Sequence, residues 1–100
     1  MYVTSREIVP LPGRLQETIA VGSQMIEVMN QKYGSAMATS TELGGNPNKL
    51  WITGFWSSLS DYQSFVESYM SDQELTGTFN MFSSFIGEVQ DQIGQVIRQP

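Results

Sequence analysis

The stretch from Lys49 to Glu74 constrains the fold more than any other part of the chain. Lys49 to Trp56 reads as a strand with Leu50, Ile52, Gly54 and Trp56 on one face and Trp51, Thr53 and Phe55 on the other. Both faces are apolar, so both are expected to be covered. Directly after it, Ser60 with Gln63 and Ser71 with Glu74 have capping-box spacing, in which a serine hydroxyl takes an amide proton three residues on and the later side chain reaches back. Two helix starts so close together imply one helix that breaks or re-angles near Met70-Ser71. Strand, corner and broken helix make a compact α+β arrangement.

The rest of the chain supplies the other layers. Tyr2 to Val9 reads as a first strand, stopped by Pro10 and Pro12, which cannot donate to a ladder. From Arg14 to about Gln31 the period changes: Leu15, Ile19, Gly22, Ile26, Met29 and Tyr33 fall at steps of three and four, one face of an amphipathic helix. Gly22 on that face marks a close approach of another backbone, and Gly34 ends the helix. Ser35 to Leu43 is a second strand, joined to the third by the turn cluster Gly44-Gly45-Asn46-Pro47-Asn48. That loop precedes a strand rather than a helix N-terminus, so it is read as a hairpin loop and not a phosphate site. The broken helix carries Tyr62, Phe65, Val66 and Tyr69 inward in its first piece. Its second piece carries Leu75, Phe79, Phe82 and Ile86. Glu88 to Arg98, with Val89, Ile93 and Ile97 spaced by four, is read as a fourth strand, although that spacing also suits a helix and Gly94 decides neither way. The order β-α-β-β-α-β builds a ferredoxin-like fold: four antiparallel strands with helices on one face, residues 1–100 forming one domain.

Composition narrows the chemistry. Neither cysteine nor histidine occurs, which removes disulfides, zinc-thiolate sites, thiol nucleophiles, Ser-His-Asp triads and proximal-His haem. No metal site and no cofactor are expected. The five basic residues, Arg6, Arg14, Lys32, Lys49 and Arg98, are scattered on a chain of net charge −5, so nucleic acid and anionic membrane are not expected partners. No run approaches the roughly 18 apolar residues of a membrane span, and the N-terminus does not read as a signal peptide, so a cytoplasmic location is expected. Charged residues make up only 15%, against the roughly 25% typical of soluble domains, a surface compatible with a patch that associates.

The marks along the chain resemble the dimeric α/β barrel superfamily, with a NIPSNAP-like pattern. They are Arg6 in the first strand, Pro12-Gly13 before the first helix, Trp56 at a strand end, Ser58-Leu59, and the break Asp72-Gln73-Glu74. Their order and spacing carry the resemblance over most of the chain. Tyr62 stands where the pattern has an arginine, and Leu75 where it has an aromatic. The resemblance implies a homodimer in which two sheets pack face to face. The antibiotic-biosynthesis monooxygenases are a similar branch; Trp56 sits where their tryptophan falls, while Ile52 occupies the place of their asparagine. The haem-degrading branch needs a histidine, which is absent.

Candidate functional residues follow from chemistry. Arg6, in mid-strand, would hold a carboxylate or enolate oxygen if it faced a cavity, or else join an ion pair with a strand carboxylate such as Glu42 or Glu88. Glu7, Glu42, Glu88 and Asp91 are candidate bases only if desolvated. Trp51 and Trp56 lie on opposite faces, one expected under the helices and the other in a sheet-to-sheet seam. Soft apolar groups are concentrated on the helices: Met25, Met29, Phe65, Tyr69, Met70, Phe79, Met81, Phe82 and Phe85. Such groups form either a plain core or a pocket that adapts to an apolar ligand. The expected ligand-binding set is Arg6, Met25, Met29, Trp56, Tyr62, Phe65, Tyr69, Phe79 and Phe82, with Arg6 or Tyr62 at the mouth. The ligand class is an apolar or amphiphilic small molecule such as an acyl chain, polyketide or aromatic. The alternatives are a cofactor-independent oxygenase or isomerase and an interaction-only homodimer.

Overall fold

A computed structural model describes residues 1–98. The elements are β1 (Tyr2–Pro10), α1 (Leu15–Tyr33), β2 (Ala36–Thr41), β3 (Leu50–Trp56), α2 (Leu59–Met70), α3 (Gln73–Ser83) and β4 (Ile86–Gln95). They make one antiparallel sheet of order β2-β3-β1-β4, and the helices cover one face. This is the ferredoxin-like α+β arrangement that the element order implies. The last two residues of the expected domain lie outside the described residues.

Register fixes the faces. Arg6 pairs with Ile52 on β3 and Asp91 on β4, so Thr4, Arg6, Ile8, Leu50, Ile52, Trp56, Asp91 and Ile93 share the helix-covered side. The core sits there: Ile8 and Leu50 from the sheet, Met25, Ile26 and Met29 from α1, Phe65 from α2, Leu75 and Phe82 from α3. Gly22 does mark a close approach, but of side chains rather than backbone: a Cβ there would lie 2.9 Å from Leu50 Cδ2 and 3.3 Å from the Phe82 ring. Gly34 closes α1 in the left-handed region at φ 66°, its N–H donating to Asn30 O. The opposite face of β3, with Trp51 and Phe55, is not covered within the chain; Phe55 is 49% exposed.

Several local expectations are corrected. The α2 cap is Ser58, whose Oγ accepts from the Asp61 N–H at 3.0 Å, not Ser60. The α3 cap is Asp72, whose carboxylate accepts from the Glu74 and Leu75 N–H groups, while Ser71 Oγ donates back to Glu67 O. A carboxylate is the stronger acceptor for the helix N-terminus, and Ser71 finds its partner in the preceding turn. β1 runs one residue past Val9 and ends on Pro10, opposite Ile86 across a register shift at Val9/Pro10, a place where a missing N–H is tolerated. Ile86 therefore opens β4 instead of extending the helical stripe. Ile97 falls beyond the strand and is exposed.

Candidate functional site

Between the helices and the sheet lies a cavity of about 190 Å³, running from Met37 on β2 to Ile93 on β4. The structure brings all nine sequence-predicted residues around it: Arg6, Met25, Met29, Trp56, Tyr62, Phe65, Tyr69, Phe79 and Phe82. Each arrives by simple periodicity. Tyr62, Phe65 and Tyr69 recur at steps of three and four on α2, Phe79 and Phe82 at three on α3, and Met25 and Met29 at four on α1. Met70 and Met81 are 69% and 50% exposed and stand away from the cavity, on the outer sides of their helices.

The aromatic groups form one connected series. The Phe65 ring lies 4.8 Å from Trp56 and 5.1 Å from Tyr69, and Tyr69 stacks on Phe79 at 5.6 Å. Trp56 also meets Tyr62 at 5.1 Å. The Trp56 indole lies over Gly54, where a Cβ would come within 2.9 Å of it, and its N–H donates to Thr4 Oγ1 at 2.9 Å. Glycine at 54 is therefore what allows a tryptophan to lie flat under α2 with its polar atom satisfied.

One end of the cavity is polar. Arg6 Nε donates to Asp91 Oδ1 at 2.7 Å and Arg6 Nη2 to Asp91 Oδ2 at 2.9 Å, a two-pronged pair between directly opposed residues. The carboxylates suggested by sequence for Arg6 are engaged elsewhere or lie on the other face. Glu42 accepts from Trp51 Nε1 and flanks Lys49, which pairs with Glu7 at 2.7 Å. Glu88 is opposite Val9, on the sheet's outer side. Asp91 had the same standing in the sequence as the other strand carboxylates, and only the β1–β4 register singles it out. Its carboxyl is held below the usual range by the Arg6 guanidinium. The Arg6 charge is reinforced in turn, first by the Asp91 hydrogen bond. Tyr69 feels Arg6, Tyr62 and Asp91, and burial pushes its hydroxyl above the ordinary tyrosine value. Among the described residues neither the Tyr62 nor the Tyr69 hydroxyl has a hydrogen-bond partner in the chain. Sequence reasoning also missed Thr4, Ile52 and Met37 in the lining; the strand alternation alone could have placed the first two beside Trp56. No group of three or more His, Cys, Asp or Glu side chains among the described residues could hold a metal ion. No helix among them is long and apolar enough to cross a membrane.

The ferredoxin-like sheet with helices on one face is the fold shared with NIPSNAP-domain and antibiotic-biosynthesis-monooxygenase-like structures. An uncharacterised NIPSNAP domain protein from Burkholderia xenovorans superposes with a TM-score of 0.86 at 13% identity, over 100% of this chain and 99% of that one. A NIPSNAP family protein from Agrobacterium tumefaciens gives 0.83 at 17% identity, over 94% and 90%. A candidate antibiotic-biosynthesis monooxygenase from Deinococcus radiodurans gives 0.77 at 11% identity, over 100% and 96%. No family model and no curated protein matches the chain. At these identities the likeness is one of fold.

Proposed function

We propose that the protein binds a small, predominantly apolar molecule in the cavity between helices and sheet, and that it does so as a homodimer. The observation that carries this reading is the cavity itself. A chain of 100 residues has little core to spare, yet it leaves about 190 Å³ open among Met25, Met29, Trp56, Phe65, Tyr69 and Phe82. A protein used only for interaction has no need of that void, which costs stability in proportion to its volume. The uncovered outer face of β3 supports the dimer, because Phe55 would otherwise remain half in water beside a half-buried Trp51. The oxygenase or isomerase reading is less well supported by the groups at hand. Asp91, the carboxylate of the lining, is neutralised by Arg6 and is a weak base, and Tyr69 holds its proton more firmly than a free tyrosine.

Methionine methyl groups give a localised test. Benzene titrated into protein carrying ¹³C-methyl methionine is expected to move the Met25 and Met29 signals and leave those of the exposed Met70 and Met81 in place. Unmoved Met25 and Met29 signals at benzene saturation would overturn the reading.

A further inference from the structure

Building on the proposed binding role, we infer that the cavity selects by charge as well as shape: its ligand is an uncharged molecule of about one ring bearing a hydrogen-bond-accepting oxygen, and Asp91 is the residue that turns carboxylates away. Three observations converge on this. The first is size. The cavity, about 190 Å³, is only a little larger than the roughly 150 Å³ void that takes up benzene in another protein, so one ring with a short substituent fills it, while a longer molecule would have to reach out of its open side.

The second is the state of Arg6. By itself a guanidinium at the end of an apolar cavity would be a carboxylate receptor. Here two of its nitrogens are already committed, at 2.7 and 2.9 Å, to both oxygens of Asp91. The pair is neutral as a unit. The pair is partly exposed, so an incoming carboxylate would give up only part of its hydration, but it would meet a second carboxylate and find one edge of the guanidinium occupied.

The third is the pair of tyrosines. The Tyr62 and Tyr69 hydroxyls line the same cavity as the ion pair and are not used by the chain's own hydrogen bonds. With its proton held by burial, Tyr69 is a donor. A donor unused by the chain, beside the ion pair and reached by solvent, can exchange its water for a neutral carbonyl or hydroxyl oxygen.

Acetophenone and benzoate have nearly the same shape and differ in charge, which makes them the deciding probes alongside benzene, all read at pH 7 by the Met25 and Met29 methyl signals. The wild-type protein is expected to bind acetophenone at least about tenfold more tightly than benzoate. Asp91→Asn, which releases Arg6, is expected to raise benzoate affinity relative to acetophenone by about tenfold or more. Tyr69→Phe is expected to weaken acetophenone about fivefold relative to benzene, and it does not depend on Asp91→Asn folding well. If benzene binds but benzoate equals acetophenone, or neither substitution alters the ratios, charge selection is wrong while the cavity reading stands. If benzene itself fails to bind, the cavity reading falls and this inference with it.

Discussion

At the scale of single residues, Gly54 decides more than its lack of a side chain suggests. Sequence reasoning placed it on the covered face of a strand, between Ile52 and Trp56, with no stated role. In the structure it is the floor on which the Trp56 indole rests. A Cβ at this position would approach Trp56 Cζ2, Trp56 Nε1 and Thr4 Oγ1 all to 2.9 Å. Thr4 is fixed by the β1–β3 pairing directly opposite Gly54, and the indole is buried and in contact with Phe65. Neither neighbour can withdraw without opening the core. Gly54→Ala is therefore expected to destabilise the fold by about 1–3 kcal/mol, the cost of overpacking a filled site. Gly77 is the control. It lies exposed in the middle of α3 with nothing within 4 Å of the added carbon, so Gly77→Ala is expected to stabilise by about 1 kcal/mol through helix propensity alone. Urea unfolding of the two variants side by side checks both signs, and equal behaviour would show that the indole does not need the glycine.

At the scale of elements, the corner between α2 and α3 shows how far local sequence can be read. A break near Met70-Ser71 was legible because serine, aspartate and glutamate crowd together after an apolar stripe. Which of them caps was not. The Ser-x-x-Glu pattern fits Ser71 as well as Ser-x-x-Gln fits Ser60, and only the path of the chain decides that Asp72 and Ser58 point their oxygens at free amides. Asp72 has a further task that spacing cannot reveal. Its second oxygen takes Lys32 and the Tyr33 hydroxyl from the end of α1, so one carboxylate ties α1 to the start of α3. The Lys32 and Tyr33 hydrogen bonds, with help from the Leu75 amide, hold its pKa down to about 2 from the ordinary 3.8. A depressed carboxyl pKa contributes stability that is present in full above the unfolded value and is lost as pH falls through the folded one. The window here runs from about 4 down to about 2. Thermal melts are accordingly expected to show the wild-type protein losing stability across that interval. Asp72→Asn, which keeps a capping side chain but not the charge, should start lower at pH 7 and lose less across the same interval. Parallel pH profiles for the two proteins would contradict the assignment.

At the scale of the whole molecule, the order of elements and the β2–β3 hairpin were legible because hydrophobic period and turn residues agree along the chain. Seven of the nine candidate lining residues could be gathered from helical steps, since a stripe that faces the sheet must also face whatever space remains above it, and Arg6 and Trp56 come from the strands beneath. The charge at the end of the cavity was not legible, because Arg6 and Asp91 are 85 residues apart and meet only through the β1–β4 register. Nor does sequence say what lies on the sheet's outer side, where the apolar character of β3 has no answer within the chain. The centre of that side is uncharged: Val3 stands opposite Phe55, Ser5 opposite Thr53, and Ala36 and Ala38 line the β2 edge. The ionic group of Glu7, Lys49 and Glu42 gathers at one end, beside Trp51. A neutral centre with a half-exposed phenylalanine and charges at the margin is how a self-associating face is built, with the aromatic supplying most of the binding energy. In light scattering after size exclusion, the protein is expected to run near 22 kDa, about twice the 11.2 kDa chain. Phe55→Glu should shift it to the monomer mass, because two copies of the carboxylate would have to be buried in a dry seam. The cavity lies on the other side of the sheet, so the monomeric variant should keep its benzene-induced Met25 and Met29 shifts. A wild-type monomer, or a Phe55→Glu dimer, would mean that Phe55 is not at a subunit interface and that the outer face of β3 serves some other contact.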